Sequence, residues 1–258
     1  MNPILQISHL NIGYTSKKQQ ICIAKEINTT IKEAKFIALL GKNGVGKSTL
    51  LRTIANMQAS LHGEIFIEGK NSKTLSPVAF SKKVSVVLTE RIPPSNLSVY
   101  EIIALGRQVY TDWIGNLSKA DRFIIDDVMN QVQIQTLKNK KIDELSDGQY
   151  QKVMIARALA QNTPIILLDE PTAHLDIINK AEIFKLLKSL VKTKNKTIVI
   201  SSHELQLAIQ STDDLWLMTD EGFVSGNKNH LITTNALQSV FKSDIVSFDE
   251  QTNQFVFQ

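Results

Sequence analysis

The sequence predicts an α/β fold: a core sheet interleaved with helices, an antiparallel β-subdomain built from the N-terminal strands, and an inserted helical subdomain. Three observations carry this expectation. The apolar run Phe36–Leu40 leads straight into a glycine-rich stretch and then a helical pattern. Further apolar runs at 165–168 and 197–201 are long enough for buried strands and close on polar or acidic residues. Stretches with apolar residues at helical spacing separate these runs, so strands and helices alternate along most of the chain.

Taken in order, residues 4–14 and 21–31 read as strands joined by a polar turn at 15–20, a link short enough to make them an antiparallel pair. Phe36–Leu40 is the next strand. After the helix that follows it, Leu61-His62-Gly63 reads as a turn into a short strand at 64–67, ended by Gly69. Residues 84–88 form another apolar strand, running into Thr89-Glu90-Arg91-Ile92-Pro93-Pro94, which the two prolines keep out of regular structure. Ser98 and Glu101 have the spacing of a capping box and open a short helix that ends near Gly106. Ser118 opens a second, with Ile125, Val128, Met129 and Val132 on one face. Helices from about 98 to 138 thus interrupt the alternation.

The alternation returns from Asp143: residues 144–149 lead into a helix through Ala160, followed by the strand at 165–168, an amphipathic helix at 176–194, and Thr197–Ser201. A helix at 205–210 and a strand at 214–218 follow. The tail, about 222–258, carries turn signals at Gly226 and at Thr252-Asn253. Its alternating Val246, Phe248 and Phe255, Phe257 suggest a terminal hairpin. There are no internal repeats or low-complexity tracts, and 258 residues suffice for one large domain or two small ones.

Composition narrows the function classes. The chain is 43% hydrophobic and 21% charged, ordinary for a soluble globular protein, with a net charge of +4 spread along its length. The densest basic cluster, Lys138-Asn139-Lys140-Lys141, reads as a solvated loop, so no nucleic-acid partner is expected. Cys22 is the only cysteine, which rules out an internal disulfide and fits a reducing compartment. The N-terminus lacks the charged start and apolar core of a signal peptide. No run approaches the roughly 18 to 20 apolar residues that span a bilayer. A cytoplasmic protein is expected, unless a partner places it elsewhere.

The chemistry centres on residues 41–49, G-K-N-G-V-G-K-S-T. Gly41, Gly44 and Gly46 let the backbone turn so that successive N–H groups face one anion, and the following helix adds its own N-terminal amides. In this P-loop pattern Lys47 would reach the β- and γ-phosphates of a nucleotide, and the Ser48 hydroxyl would ligate Mg²⁺. Asp169 and Glu170 close the 165–168 strand at the end where open α/β sheets bind ligands. Asp169 is assigned to hold Mg²⁺ indirectly, through water or through one of the ion's ligands, and Glu170 to polarise water against the γ-phosphate. His203 follows the next strand, where its imidazole could contact that phosphate. Tyr14 ends the first strand, either as a half-buried strand tyrosine or as a ring that stacks on a flat base.

Together these motifs resemble the ATP-binding subunit of an ATP-binding-cassette (ABC) transporter, a P-loop NTPase. Residues 41–49 match that family's Walker A and 165–170 its Walker B, Ala173-His174-Leu175-Asp176 resembles the D-loop, and His203 the switch histidine. Leu145-Ser146-Asp147-Gly148-Gln149 resembles the signature L-S-G-G-Q. The likeness covers roughly 6–218. It implies that Tyr14 stacks on adenine, that Gly41, Asn43, Gly44, Gly46, Lys47, Ser48 and Thr49 hold the phosphates, and that Asp176 lines the shared site. It also implies that Ser146, Gly148 and Gln149 act on the nucleotide bound by an opposite subunit. The implied assembly is a homodimer that binds ATP and Mg²⁺ under integral membrane permease subunits. It would be peripheral to the cytoplasmic face of the membrane and indirectly served by an extracytoplasmic substrate-binding protein.

Two departures stand out. Asp147 replaces the first glycine of the signature pair, adding a negative charge near a triphosphate. Where the family has a glutamine after the 84–88 strand, this chain has Thr89-Glu90. Glu90, nearly the length of glutamine, is assigned to approach Mg²⁺, with Thr89 as its shorter rival. The 98–115 segment, S-V-Y-E-I-I-A-L-G-R-Q-V-Y-T-D-W-I-G, resembles subunits serving iron–siderophore, haem and cobalamin importers, above all Gly106-Arg107 followed by Tyr110 and Trp113. Those aromatics could also simply pack within the insertion. An exporter subunit of the same family, or a member acting away from membranes, are the alternatives. Members of the latter kind usually carry paired cassettes or long insertions, which this chain lacks.

Overall fold

The computed structural model describes residues 3–16, 19–234, 236–237, 246–249 and 254–257. Strands β1 (Leu5–Ser16) and β2 (Gln19–Ile31) pair antiparallel, with Leu5 opposite Ile31 and Tyr14 opposite Ile21. The hairpin is longer than expected at its closed end. Strand β3 (Phe36–Leu40) is buried at all five positions. Such a strand has no face to offer water and must be covered on both sides. Its alternate residues point to opposite layers: Phe36, Ala38 and Leu40 into a helical layer, Ile37 and Leu39 into a layer made by β1, β2 and neighbouring elements. Each of these large apolar side chains contributes roughly 1.5–3 kcal/mol by leaving water.

Helix α1 (Lys47–Ile54) follows β3, and β4 (His62–Ile67) and β5 (Lys70–Asn71) complete an antiparallel sheet of order β2-β1-β4-β5. Gly63, expected in a turn, lies inside β4. It has φ 83°, and a Cβ there would stand 2.3 Å from the His9 carbonyl oxygen, so glycine is needed for close backbone approach.

After α2 (Pro77–Ser81) comes β6 (Val84–Val87), then α3 (Val99–Ala104), α4 (Lys119–Gln131) and α5 (Asp147–Ala160). Ser98 and Ser118 both form capping boxes, with Glu101 and Asp121. α3 ends at Ala104, close to Gly106 as expected. The chain then tightens into a 3₁₀ turn, Leu105–Tyr110, whose three-residue repeat brings Arg107 and Tyr110 onto one side. Arg107 Nε donates to Asp121 Oδ1 at 2.9 Å and its Nη1 to the Ala160 carbonyl at 2.6 Å, while Tyr110 Oη donates to the Gln161 carbonyl at 3.1 Å. The Arg107 guanidinium lies 4.0 Å from the Tyr110 ring centre. These contacts satisfy carbonyls that the end of α5 leaves without helical partners. Gly106 permits the approach, since a Cβ there would meet the Arg157 carbonyl oxygen at 2.2 Å. The Ser118 hydroxyl, with the Arg107 guanidinium, holds the Asp121 carboxyl below the usual carboxylate range against the opposing effect of burial. Tyr110 therefore ties the insertion to the end of α5, whereas Trp113 is 93% exposed.

Strand β7 (Ile165–Asp169), α6 (Ile177–Lys194), β8 (Thr197–Ser201), α7 (Leu205–Ser211), β9 (Asp214–Thr219), β10 (Gly222–Asn227) and α8 (Lys228–Thr233) follow. The core sheet has the order β10-β9-β3-β8-β7-β6, parallel except for β10. Gly226, read as a turn signal, is a strand residue opposite Leu215, and the Leu231 side chain packs over it. Strands β11 (Val246–Asp249) and β12 (Gln254–Phe257) pair antiparallel as expected, and the turn signal at Thr252-Asn253 lies outside the described residues. Among the described residues no helix is long and apolar enough to cross a membrane.

The Arg107–Asp121 pair is almost fully buried. Arg107→Met leaves a buried carboxylate without its cation and should cost about 3–5 kcal/mol, read by urea or thermal unfolding. A loss below about 1 kcal/mol would mean that the insertion is held by its apolar contacts alone.

Candidate functional site

Parallel pairing brings the C-terminal ends of β3, β8 and β7 level. Leu39 lies opposite Ser201, and Ser201 opposite Asp169. The segments 41–46, 170–176 and 202–204 therefore leave the sheet along one edge, where open α/β sheets take ligands.

In the first segment, Gly44 and Gly46 have φ 77° and 109°, in the region that favours glycine. Space also excludes a side chain at Gly46, whose Cβ would stand 2.5 Å from Ile23 Cγ2. Asn43 and Gly44 form the exposed tip of the loop, and Gly41 is buried at its base. Lys47 opens α1 and is only 4% exposed. Its Nζ donates to the carbonyls of Gly41 and Lys42, both at 3.0 Å, and stands 3.9 Å from Glu170 Oε1. Burial lowers the Lys47 pKa below the ordinary lysine range, and the Glu170 and Asp169 carboxylates act in the opposite direction. A phosphate here would favour the charged form of Lys47 and take over its hydrogen bonds.

The next residues converge on Asp169, which is 1% exposed. Ser48 Oγ donates to Asp169 Oδ1 at 2.9 Å, and Ser201 Oγ donates to the same oxygen at 2.8 Å. Asp169 Oδ2 is buried with no hydrogen-bond partner among the described residues. A carboxylate oxygen so placed is costly unless a cation or a bound water completes it. Among the described residues no group of three or more His, Cys, Asp or Glu converges on a metal position. A hydroxyl beside one carboxylate suits Mg²⁺, which draws its other ligands from phosphate oxygens and water. The residues fit that ion.

Glu170 has φ 48°, a strained conformation for a residue with a side chain. Its N–H donates to Ser201 Oγ at 2.9 Å, and its Oε1 lies 2.6 Å from His203 Nε2. Sequence reasoning missed Ser201, which bridges the two acids by accepting from one and donating to the other. Its signal was a hydroxyl ending an otherwise apolar strand.

Tyr14 is 52% exposed at the other side of the loop, and its Oη lies 2.9 Å from Thr49 Oγ1. About half of the residue is open to solvent. Glu90 is held by a different partner. Its carboxylate is ion-paired with Arg52 on the last turn of α1, the nearby opposite charge. Thr89 stands beside Asp169 instead, its Oγ1 donating to the Asp169 carbonyl at 2.9 Å. Ser146 and Gln149 form a capping box at the start of α5, with Gln149 Oε1 accepting from the Ser146 N–H at 3.2 Å. Gly148 packs on the side chain of Asn179, where a Cβ would stand 2.6 Å from Oδ1. Asp176 caps α6, accepting from the Asn179 N–H at 2.8 Å and its Nδ2 at 2.6 Å. The Asn179 side chain thus lies against Gly148 while bonding to Asp176, and the hydrogen bonds named here stay within the N-termini of α5 and α6.

The sequence profile of the ABC transporter family matches residues 24–173. An uncharacterized ABC transporter ATP-binding protein of Methanocaldococcus jannaschii is 37% identical over 95% of this chain and 80% of its own length. The iron(3+)-hydroxamate import ATP-binding protein FhuC of Bacillus subtilis is 32% identical over 97% of this chain and 92% of its own. Among solved structures, a dimeric ATP-binding cassette in a post-hydrolysis state, bound to ADP and Pi, superposes with a TM-score of 0.76. It is 27% identical, and the match covers 87% of this chain and 98% of the cassette.

Ser201→Ala should lower stability by about 1–3 kcal/mol, because a buried carboxylate loses a donor and a strained backbone N–H loses its acceptor. Ser201→Thr keeps the hydroxyl and should lose less, by the same unfolding measurement.

Proposed function

Because the chain belongs to the ABC transporter family, and to its ATP-hydrolysing subunits, we propose that it energises the import of a metal chelate, namely an iron–siderophore, haem or a cobalamin. It would act as a homodimer bound to membrane permease subunits at the cytoplasmic face, with an extracytoplasmic binding protein delivering the cargo. The observation that carries the hydrolytic part is Glu170, held in a left-handed backbone by Ser201, gripped by His203 and set 3.9 Å from the Lys47 ammonium. The iron-hydroxamate relative and the resemblance of 98–115 support the cargo class.

In this reading Tyr14 stacks on the adenine. The amides of 41–49, including those of Gly41, Asn43, Gly44, Gly46 and Thr49, hold the phosphates with Lys47. Ser48 and Asp169 would hold Mg²⁺, which when bound would supply positive charge against the phosphate oxygens. Glu170 takes the proton of a water as the water oxygen bonds to the γ-phosphorus and the bridging P–O bond breaks toward ADP. His203 fixes the Glu170 carboxylate and contacts the γ-phosphate. Ser146, Gly148 and Gln149 serve the nucleotide of the partner subunit, and Asp176 holds the segment between them. Glu90 reaches the cation only by leaving Arg52, so Thr89 is the residue better placed to sense it.

Glu170→Gln should keep ATP binding and lower hydrolysis by about 10²–10⁴-fold, since an amide cannot accept the proton. Gel filtration with ATP and Mg²⁺ should then show a stable dimer, while Lys47→Ala should fail to bind ATP at all. Brisk turnover by either variant counts against these roles. For the cargo, a deletion strain should lose growth when an iron chelate, haem or cobalamin is the limiting nutrient. Normal growth on all three, with loss of sugar or peptide uptake, would overturn the assignment.

A further inference from the structure

Three consecutive side chains after β6 tie to three different parts of the site. Thr89 bonds to the Asp169 carbonyl, Glu90 pairs with Arg52 on α1, and Arg91 pairs with Asp147, the first residue of α5. Arg91 is held from a second side, with its guanidinium 5.0 Å from the centre of the Tyr150 ring. The Tyr150 hydroxyl in turn accepts the Ile92 N–H at 3.0 Å. Arg91 and Asp147 are 61% and 51% exposed, so water and salt leave their pairing little to give to stability. Asp147 sits between Ser146 and Gly148, at the N-terminus of a 14-residue helix that must meet an anion if the signature serves a partner's nucleotide. An unpaired carboxylate there has the wrong sign.

We propose that Arg91 is a positioning residue for ATP hydrolysis. It draws the Asp147 carboxylate to itself and cancels its charge, so that Ser146 and Gly148 can receive the γ-phosphate bound by a second copy of this chain. The proposal rests on the reading of the signature as acting across a dimer. It also accounts for an aspartate at a position where the family has glycine, since the compensating cation lies on the loop that follows β6. A bare carboxylate within about 8 Å of a triphosphate, partly screened by water, weakens its binding by roughly five- to twentyfold.

The test is a double-mutant cycle on steady-state ATPase activity of the full chain, with Arg91→Ala, Arg91→Lys, Asp147→Gly and Arg91→Ala/Asp147→Gly. Arg91→Ala should raise KM for ATP about tenfold while kcat changes less than about threefold. Arg91→Lys should recover most of that loss. In the Asp147→Gly background, Arg91→Ala should change KM by less than about twofold, because no charge remains to cancel. In the Glu170→Gln background, Arg91→Ala should raise the ATP needed for dimerisation by about the same tenfold. A purely structural Arg91 would cause equal losses with and without Asp147, and that result overturns the proposal, as does an unchanged KM in Arg91→Ala. If the wild-type chain neither hydrolyses ATP nor dimerises with it, the functional reading falls and the proposal falls with it. If the wild type does both and only the cycle fails, the proposal alone is overturned.

Discussion

Asp169 is a carboxylate removed almost entirely from water, and a buried charge persists only where donors or a cation compensate it. Two hydroxyls do this from different elements: Ser48 from the first turn of α1 and Ser201 from the end of β8. Thr89 then fastens the loop after β6 to the Asp169 backbone. One residue thereby fixes the spacing among the glycine-rich loop, the acid-bearing strand end and the segment leading to His203. The parallel register makes this possible, since it sets Asp169 directly opposite Ser201 before any side chain is considered.

The two layers around the core sheet divide the work. β1, β2, β4 and α1 pack on Ile37, Leu39 and their neighbours, and this side carries Tyr14 and the phosphate loop. The helices pack on the other face, and the signature residues open α5 there. The loop after β6 connects the layers at the ligand edge, where three adjacent side chains touch Asp169, α1 and α5. At the far end of α5, Gly106, Arg107 and Tyr110 clamp the inserted helices to its last turn. A tilt of α5 would therefore disturb both of its ends at once.

Much of this was legible in the sequence because its signals are local. The glycine spacing of 41–49, the acids closing an apolar strand and the capping residues Ser98 and Ser118 each declare themselves within a few positions. The terminal hairpin strands were likewise visible as alternation. Contacts between distant segments were not legible. Arg91 and Asp147 are 56 residues apart, and nothing in either neighbourhood specifies the other. Glu90 resembled the expected glutamine in length, but an arginine on α1 captures it, a competition that local sequence does not display. Gly63 and Gly226 were read as turns because glycine is ambiguous: it marks close backbone approach and room for packing as readily as chain reversal.

The hold that Gly41 and Lys42 keep on Lys47 has a consequence for selectivity. The lysine cation does not meet an arriving anion with all its donors free, since two carbonyls of its own loop already take two of its three N–H groups. Entry is therefore an exchange, and an ion that offers one weak acceptor has nothing with which to displace them. Chloride or a single carboxylate should fail where a polyphosphate succeeds, because the polyphosphate brings several oxygens to the lysine and the loop amides together. The loop works as a threshold that sorts anions by how many acceptors they present at once, and not by charge alone.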